Sequence, residues 1–136
     1  MGTLHLKVLG LGDPKRLGDP NFIRQFCLDL IDRVGMTPLG EPRIHDVPLE
    51  IEKLNREPFE DEGGVTAQIV GYGTLSTSHL AMHTWPLRNE FHMDLYSCRE
   101  FDKQDVLGFI ADALRCEIIQ DNDLTKYCRW EVPVAA

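Results

Sequence analysis

Residues 75–98 read LSTSHLAMHTWPLRNEFHMDLYSC, and the fold turns on how this stretch divides. Taken as a strand, Leu75 to Trp85 places Ser78, Leu80, Met82 and Thr84 on one side and His79, Ala81, His83 and Trp85 on the other. Pro86-Leu87-Arg88-Asn89 interrupts the alternation and Glu90 to Cys98 resumes it, so the stretch predicts two successive strands joined by a turn. Val65 to Val70 predicts another strand just upstream. Gly71-Tyr72-Gly73, too short for a phosphate loop, reads as a bulge or turn.

Outward from this centre, the pattern changes period. Asp19-Pro20 opens a helix, with Asp as cap and Pro in the first turn, where no amide partner is needed. Phe22, Ile23, Phe26, Cys27, Leu30, Ile31 and Val34 follow at helical spacing until Gly35 ends the run. A second amphipathic helix is expected over Asp105 to Leu114, through Val106, Leu107, Phe109, Ile110 and Leu114. Leu4 to Leu9 alternates as a strand, and Gly10 to Asp19 reads as loop. Thr37 to Gly64 contains Pro38, Pro42, Pro48 and Pro58 and the acidic group Glu57, Glu60, Asp61 and Glu62, and predicts one short strand at Arg43 to Val47 in an irregular excursion. Ile118-Ile119 and Tyr127 to Val132 supply the last strands, with Asp121-Asn122-Asp123 as the turn between them.

Groups of sequential strands separated by helices predict an α+β fold: a two-layer αβ sandwich, with an antiparallel sheet and two helices on one face. The other sheet face then needs cover, which a partner chain would provide. The 136 residues suit a single domain, 1–136. Acidic residues outnumber basic ones by 22 to 14, a net charge of −8 that repels phosphate backbones and argues against a nucleic-acid partner. With no long apolar run and no charged-then-apolar leader at Met1, the expectation is a cytoplasmic chain without a membrane partner. Cys27, Cys98, Cys116 and Cys128 lack the short spacings of a zinc ribbon or redox loop and read as reduced thiols. His79, His83, His92, Asp94 and Cys98 would be the candidates for a metal on neighbouring strands, but the reading adopted is no metal.

A buried-looking strand bearing two histidines, a tryptophan and several hydroxyls is costly unless each polar group has a partner, and this marks the segment as the candidate site. Thr77-Ser78-His79, followed after a short apolar stretch by His83-Thr84-Trp85-Pro86, resembles the processing-site motif of bacterial and archaeal S-adenosylmethionine decarboxylases, Glu-Ser-His and His-Thr-Trp-Pro-Glu. Asp94-Leu95-Tyr96-Ser97-Cys98 is similar to that family's Asp-x-x-x-Cys strand, at the family's distance from the serine, and Gly64-Val65-Thr66 resembles its Gly-Val-Ser.

The resemblance implies a proenzyme that cleaves itself between Thr77 and Ser78 into a β chain, 1–77, and an α chain, 78–136. On that pattern the Ser78 hydroxyl attacks the Thr77 carbonyl, His83 removes the Ser78 α-proton, and the hydroxyl in the Thr66 block assists. The product is a covalent pyruvoyl cofactor derived from Ser78, whose ketone forms a Schiff base with the substrate amine and accepts electrons as carbon dioxide leaves. Cys98 returns a proton to the substrate α-carbon, while Trp85 and Leu87 occupy the substrate-binding positions. His79 and Asp94 read equally well as structural residues. The resemblance further implies a small-molecule substrate, S-adenosylmethionine in spermidine biosynthesis, and a homodimer with active sites lined by both chains.

Three departures stand out. Thr77 replaces glutamate before the serine, although the acyl shift needs only its carbonyl. Thr66 lies farther from Ser78 than the family's serine does, which makes Thr74 the alternative; both separations are even, and this predicts the same side as Ser78 unless a bulge intervenes. Leu87 stands where the family has a glutamate that holds the ribose hydroxyls, and leucine accepts no hydrogen bond. Two further readings follow: a pyruvoyl-dependent decarboxylase of a basic amino acid such as ornithine or arginine, and an uncleaved homologue acting as a binding or regulatory partner.

Overall fold

The computed structural model describes residues 4–47, 64–73, 76–98 and 101–124. The chain runs β1 (Leu4–Leu11), α1 (Pro14–Leu17), α2 (Pro20–Arg33), β2 (Thr37–Pro38), β3 (Arg43–Val47), β4 (Gly64–Gly73), β5 (Ser76–Trp85), a 3-10 turn (Pro86–Arg88), β6 (Glu90–Ser97), α3 (Lys103–Leu114) and β7 (Glu117–Asp123). All strand pairs are antiparallel, in the order β2-β4-β5-β6-β1-β7, with β3 also paired to β4. The expected α+β sandwich is the fold, with α1 as an added single turn.

Local chemistry starts each helix. Asp19 accepts from the N–H groups of Asn21 and Phe22, at 3.0 and 3.3 Å, and Pro20 occupies the first turn. Ile23, Phe26, Cys27, Leu30 and Ile31 form the buried stripe of α2, and Gly35 follows the helix at φ 81°. Asp102 caps α3 through Gln104 and Asp105, so the helix begins at Lys103, two residues before the expected start, and Val106, Ile110 and Leu114 face inward. Both stripes meet the same sheet face, Leu6 and Val8 of β1, Val65, Ala67 and Ile69 of β4, Leu80 and Met82 of β5, and Phe91, Met93 and Leu95 of β6. Each large aliphatic side chain buried there contributes about 1.5–3 kcal/mol by leaving water. Phe26 and Phe109 stack at 5.8 Å, and Arg33 forks onto Asp105 at 2.9 and 2.7 Å, locking α2 beside α3.

Three local expectations are corrected. Gly10 to Asp19 is not all loop: β1 continues to Leu11, and Asp13 caps α1 by accepting from Lys15 N–H at 3.0 Å. Gly71-Tyr72-Gly73 is regular strand, since Ser78, Thr77 and Ser76 of β5 pair with these residues in unbroken register. Asp121-Asn122-Asp123 is the end of β7, held against Val8, Lys7 and Leu6, and Lys103 reaches Asp121 at 2.7 Å. The strand expected over Tyr127 to Val132, and residues 48–63 of the Thr37 to Gly64 excursion, lie outside the described residues. Among the described residues no helix is long and apolar enough to cross a membrane.

Candidate active site

The two faces of β5 divide the candidate residues. Ser78, Leu80, Met82 and Thr84 point to the helix layer and are buried. The opposite, open face carries the cross-strand pairs Trp85–Glu90, His83–His92, Ala81–Asp94 and His79–Tyr96. Cys98 continues this series just beyond β6, where its N–H donates to the Thr77 carbonyl at 2.8 Å.

Ser78 is 2% exposed, and among the described residues its Oγ has no hydrogen-bond partner. It fits only because residue 71 is glycine. A Cβ there would lie 2.8 Å from Ser78 Oγ and 2.9 Å from both Ile31 Cγ2 and Met36 Cβ. A buried hydroxyl without a partner is a cost that packing does not explain. Its neighbour Thr77 is exposed, with its carbonyl polarised by Cys98 N–H. The serine therefore has an uncommitted nucleophilic oxygen beside a carbonyl already receiving a donor. That arrangement fits conversion of Ser78 into a terminal pyruvoyl group.

Thr66 and His83 pair across β4 and β5, with Thr66 Oγ1 2.9 Å from His83 Nδ1. Thr66 thus lies on the open face, away from the Ser78 side chain, which corrects the same-side expectation. No bulge is responsible. The hairpin register sets Ser78 against Gly71 and His83 against Thr66, so even separation counted through a turn does not conserve the face. Thr74 lies outside the described residues.

Burial lowers the His83 pKa below its ordinary value, and the neighbouring His92 lowers it further. The ring is therefore neutral near pH 7. The tautomer that donates Nδ1–H to Thr66 leaves Nε2 able to accept a proton. His83 and Ser78 nevertheless sit five residues apart on one continuous strand, about 16 Å at the usual rise. One chain does not bring them together.

The Cys98 thiol lies 3.5 Å from the Tyr96 hydroxyl and 3.7 Å from Thr77 Oγ1. The Tyr96 hydrogen bond is the main cause that lowers its pKa, while partial burial opposes it. Cys27 and Cys116 differ: burial pushes them up to about 12 and about 11. Tyr96 also stacks on His79 at 5.2 Å and meets the His5 ring edge-on at 5.9 Å, and His5 pairs with Asp94. His79 and Asp94 thus support the wall around Cys98. Sequence reasoning passed over Tyr96, although its strand parity with Asp94 and Cys98 was visible.

Trp85 is 9% exposed and packs between His83 at 4.1 Å and His92 at 4.6 Å, ring centre to ring centre. Leu87 is 69% exposed in the 3-10 turn. Thr84 is structural: its hydroxyl accepts from Val65 N–H at 3.0 Å and donates to the Leu17 carbonyl at 2.7 Å. Gly64 has φ 137°, and any Cβ would fall 1.8 Å from the Thr84 carbonyl oxygen, so only glycine closes this end of the hairpin. Among the described residues no group of three or more His, Cys, Asp or Glu side chains is arranged to hold a metal.

The sequence pattern of a family described as S-adenosylmethionine decarboxylase matches residues 9–126. A protein of Prochlorococcus marinus named S-adenosylmethionine decarboxylase proenzyme is 27% identical over 123 residues, spanning 90% of this chain and 82% of its own. Proteins of the same name from Parasynechococcus marenigrum and Pyrococcus horikoshii are 26% identical over 106 residues and 23% over 115. These cover 77% and 84% of this chain, and 69% and 70% of the relatives.

Proposed function

The chain belongs to the S-adenosylmethionine decarboxylase family, and from that premise we propose that it is a proenzyme that cleaves itself at Thr77-Ser78 and decarboxylates S-adenosylmethionine. The observation that carries this reading is the buried Ser78 Oγ, without a hydrogen-bond partner among the described residues, next to a Thr77 carbonyl that receives the Cys98 N–H. Attack forms an Oγ–C bond and breaks the Thr77–Ser78 amide, giving an ester and a free Ser78 amine. Loss of the Ser78 α-proton expels Thr77 as a carboxylate. Water then releases ammonia, leaving residues 78–136 with a pyruvoyl terminus. When formed, that group supplies the electron sink for loss of carbon dioxide.

The chain's own side chains supply the remaining steps. His83, neutral and braced by Thr66, is the base for the Ser78 α-proton. The separation of about 16 Å along β5 means that the base for one Ser78 comes from a second copy, with the two open faces apposed. The half-exposed Val70 and Tyr72 on this face support such cover. Cys98, with its thiol held by Tyr96 and Thr77, returns the proton to the substrate α-carbon. Trp85 and Leu87 line the substrate side.

Leu87 also supports a second reading, decarboxylation of a basic amino acid, for which a ribose acceptor is unnecessary. Carbon dioxide release from ornithine or arginine, with none from S-adenosylmethionine, would select it. The first test is the intact mass of the purified protein under denaturing conditions, beside Ser78→Ala. Fragments 1–77 and 78–136, the latter bearing the pyruvoyl mass, are expected from the natural sequence and a whole chain from the variant. A whole chain in both samples would remove the electron sink and leave the uncleaved binding homologue as the reading.

A further inference from the structure

We propose that Glu90 is the carboxylate with which this protein recognises its small-molecule substrate, binding a hydrogen-bond-donating group at the Trp85 end of the open face. Glu90 is the cross-strand partner of Trp85, at the closing pair of the β5–β6 hairpin. Among the described residues its Oε2 is buried without a hydrogen-bond partner. The nearest imidazole nitrogen in reach, His92 Nε2, is 3.7 Å away, too far for a hydrogen bond. The side chain as a whole keeps 26% of its exposure, so it is open to an incoming group.

A carboxylate oxygen shielded from water and left without a donor is a standing cost, and among the described residues nothing offsets this one. Burial keeps His92 below its ordinary pKa despite the nearby Glu90, with Lys7 and Arg88 adding to the effect. His83 is lowered too. Neither ring is therefore cationic at physiological pH, and neither gives Glu90 a charged imidazole as partner. Trp85, nearly buried between the two imidazoles, forms an apolar wall beside it. An anionic acceptor next to such a wall fits two donors: the paired hydroxyls of a ribose and a terminal ammonium or guanidinium. Leu87, apolar and exposed in the adjoining turn, fits neither.

This inference rests on the decarboxylase reading only for the identity of the substrate. Its test is therefore binding, measured by calorimetry on the purified protein and on Glu90→Gln. The probes are the methyl esters of S-adenosylmethionine, ornithine and arginine, whose masked carboxyl groups cannot leave as carbon dioxide. The ester that binds identifies the donor as hydroxyl or cation. Glu90→Gln should weaken its Kd about ten- to hundredfold, the loss of one charge-assisted hydrogen bond. Glu90→Asp, which keeps the charge on a shorter arm, should fall between the two.

Unchanged Kd in Glu90→Gln, or no binding of any ester to the natural protein, would overturn the assignment. So would a variant that loses its dimer in sedimentation, since the orphan oxygen would then serve the second copy. Absence of self-cleavage would instead strike the decarboxylase reading, and the ester titration would still decide Glu90.

Discussion

Among the described thiols, burial distinguishes two from the third. Cys27 and Cys116 are pushed up to about 12 and about 11, so both stay protonated at neutral pH. Cys98 moves the other way because the Tyr96 O–H donates to the thiolate and stabilises the charged form. Tyr96→Phe removes that donor, raising the Cys98 pKa and lowering the thiolate fraction at pH 7. The rate of Cys98 alkylation against pH, read by peptide mass mapping, should shift to higher pH in the variant. An unmoved profile would show that the tyrosine packs against the thiol without tuning it. The readout needs no decarboxylase activity.

At the scale of elements, two glycines make opposite predictions. Gly71 lies in β4 against Ser78, where an added Cβ meets Ser78 Oγ, Ile31 and Met36 at 2.8 to 2.9 Å. Gly71→Ala should destabilise the fold by about 1–3 kcal/mol, as overpacking does, and should slow self-cleavage by displacing the serine hydroxyl. Gly108 lies inside α3, and a Cβ there meets nothing within 4 Å. Gly108→Ala should stabilise by about 0.5–1 kcal/mol, since alanine loses less backbone entropy in a helix. Denaturant midpoints of the two variants check both signs. If Gly71→Ala is neutral, the hairpin is looser than its register implies.

For the whole molecule, the decisive quantity is the distance between Ser78 and His83. Because β5 is continuous, no local adjustment closes about 16 Å, and a site that uses both residues requires two chains. Chains bearing Ser78→Ala and His83→Ala should each fail to cleave alone. Co-expressed, the His83→Ala chain should be cut, because the Ser78→Ala partner supplies an intact imidazole. Mass spectrometry reads which chain is cut. Cleavage of the His83→Ala chain in isolation would remove His83 from the processing step, and no cleavage in the mixture would place both groups in one chain.

Much of this architecture was written in local chemistry. The 3.6-residue stripe of α2 and the Asp19-Pro20 cap specify a helix with one buried face, while the alternation in β5 separates Ser78 from His79 and His83 before any contact is known. Cap geometry also lay in the sequence at Asp13 and Asp102, where short or offset helices made it easy to pass over. Periodicity within one strand does not carry through a turn, however, and only the β4–β5 register put Thr66 beside His83 and Gly71 beneath Ser78. Long-range pairing with β1 drew Asp121-Asn122-Asp123 into a strand, because ladder hydrogen bonds outweighed turn propensity. That Glu90 Oε2 is buried with no donor among the described residues is also a tertiary fact, since both conditions depend on neighbouring strands. The sequence by itself determined the elements and their faces, which depend on neighbours along the chain; the tertiary structure decided which side chains meet, which depends on register between segments that the chain leaves far apart.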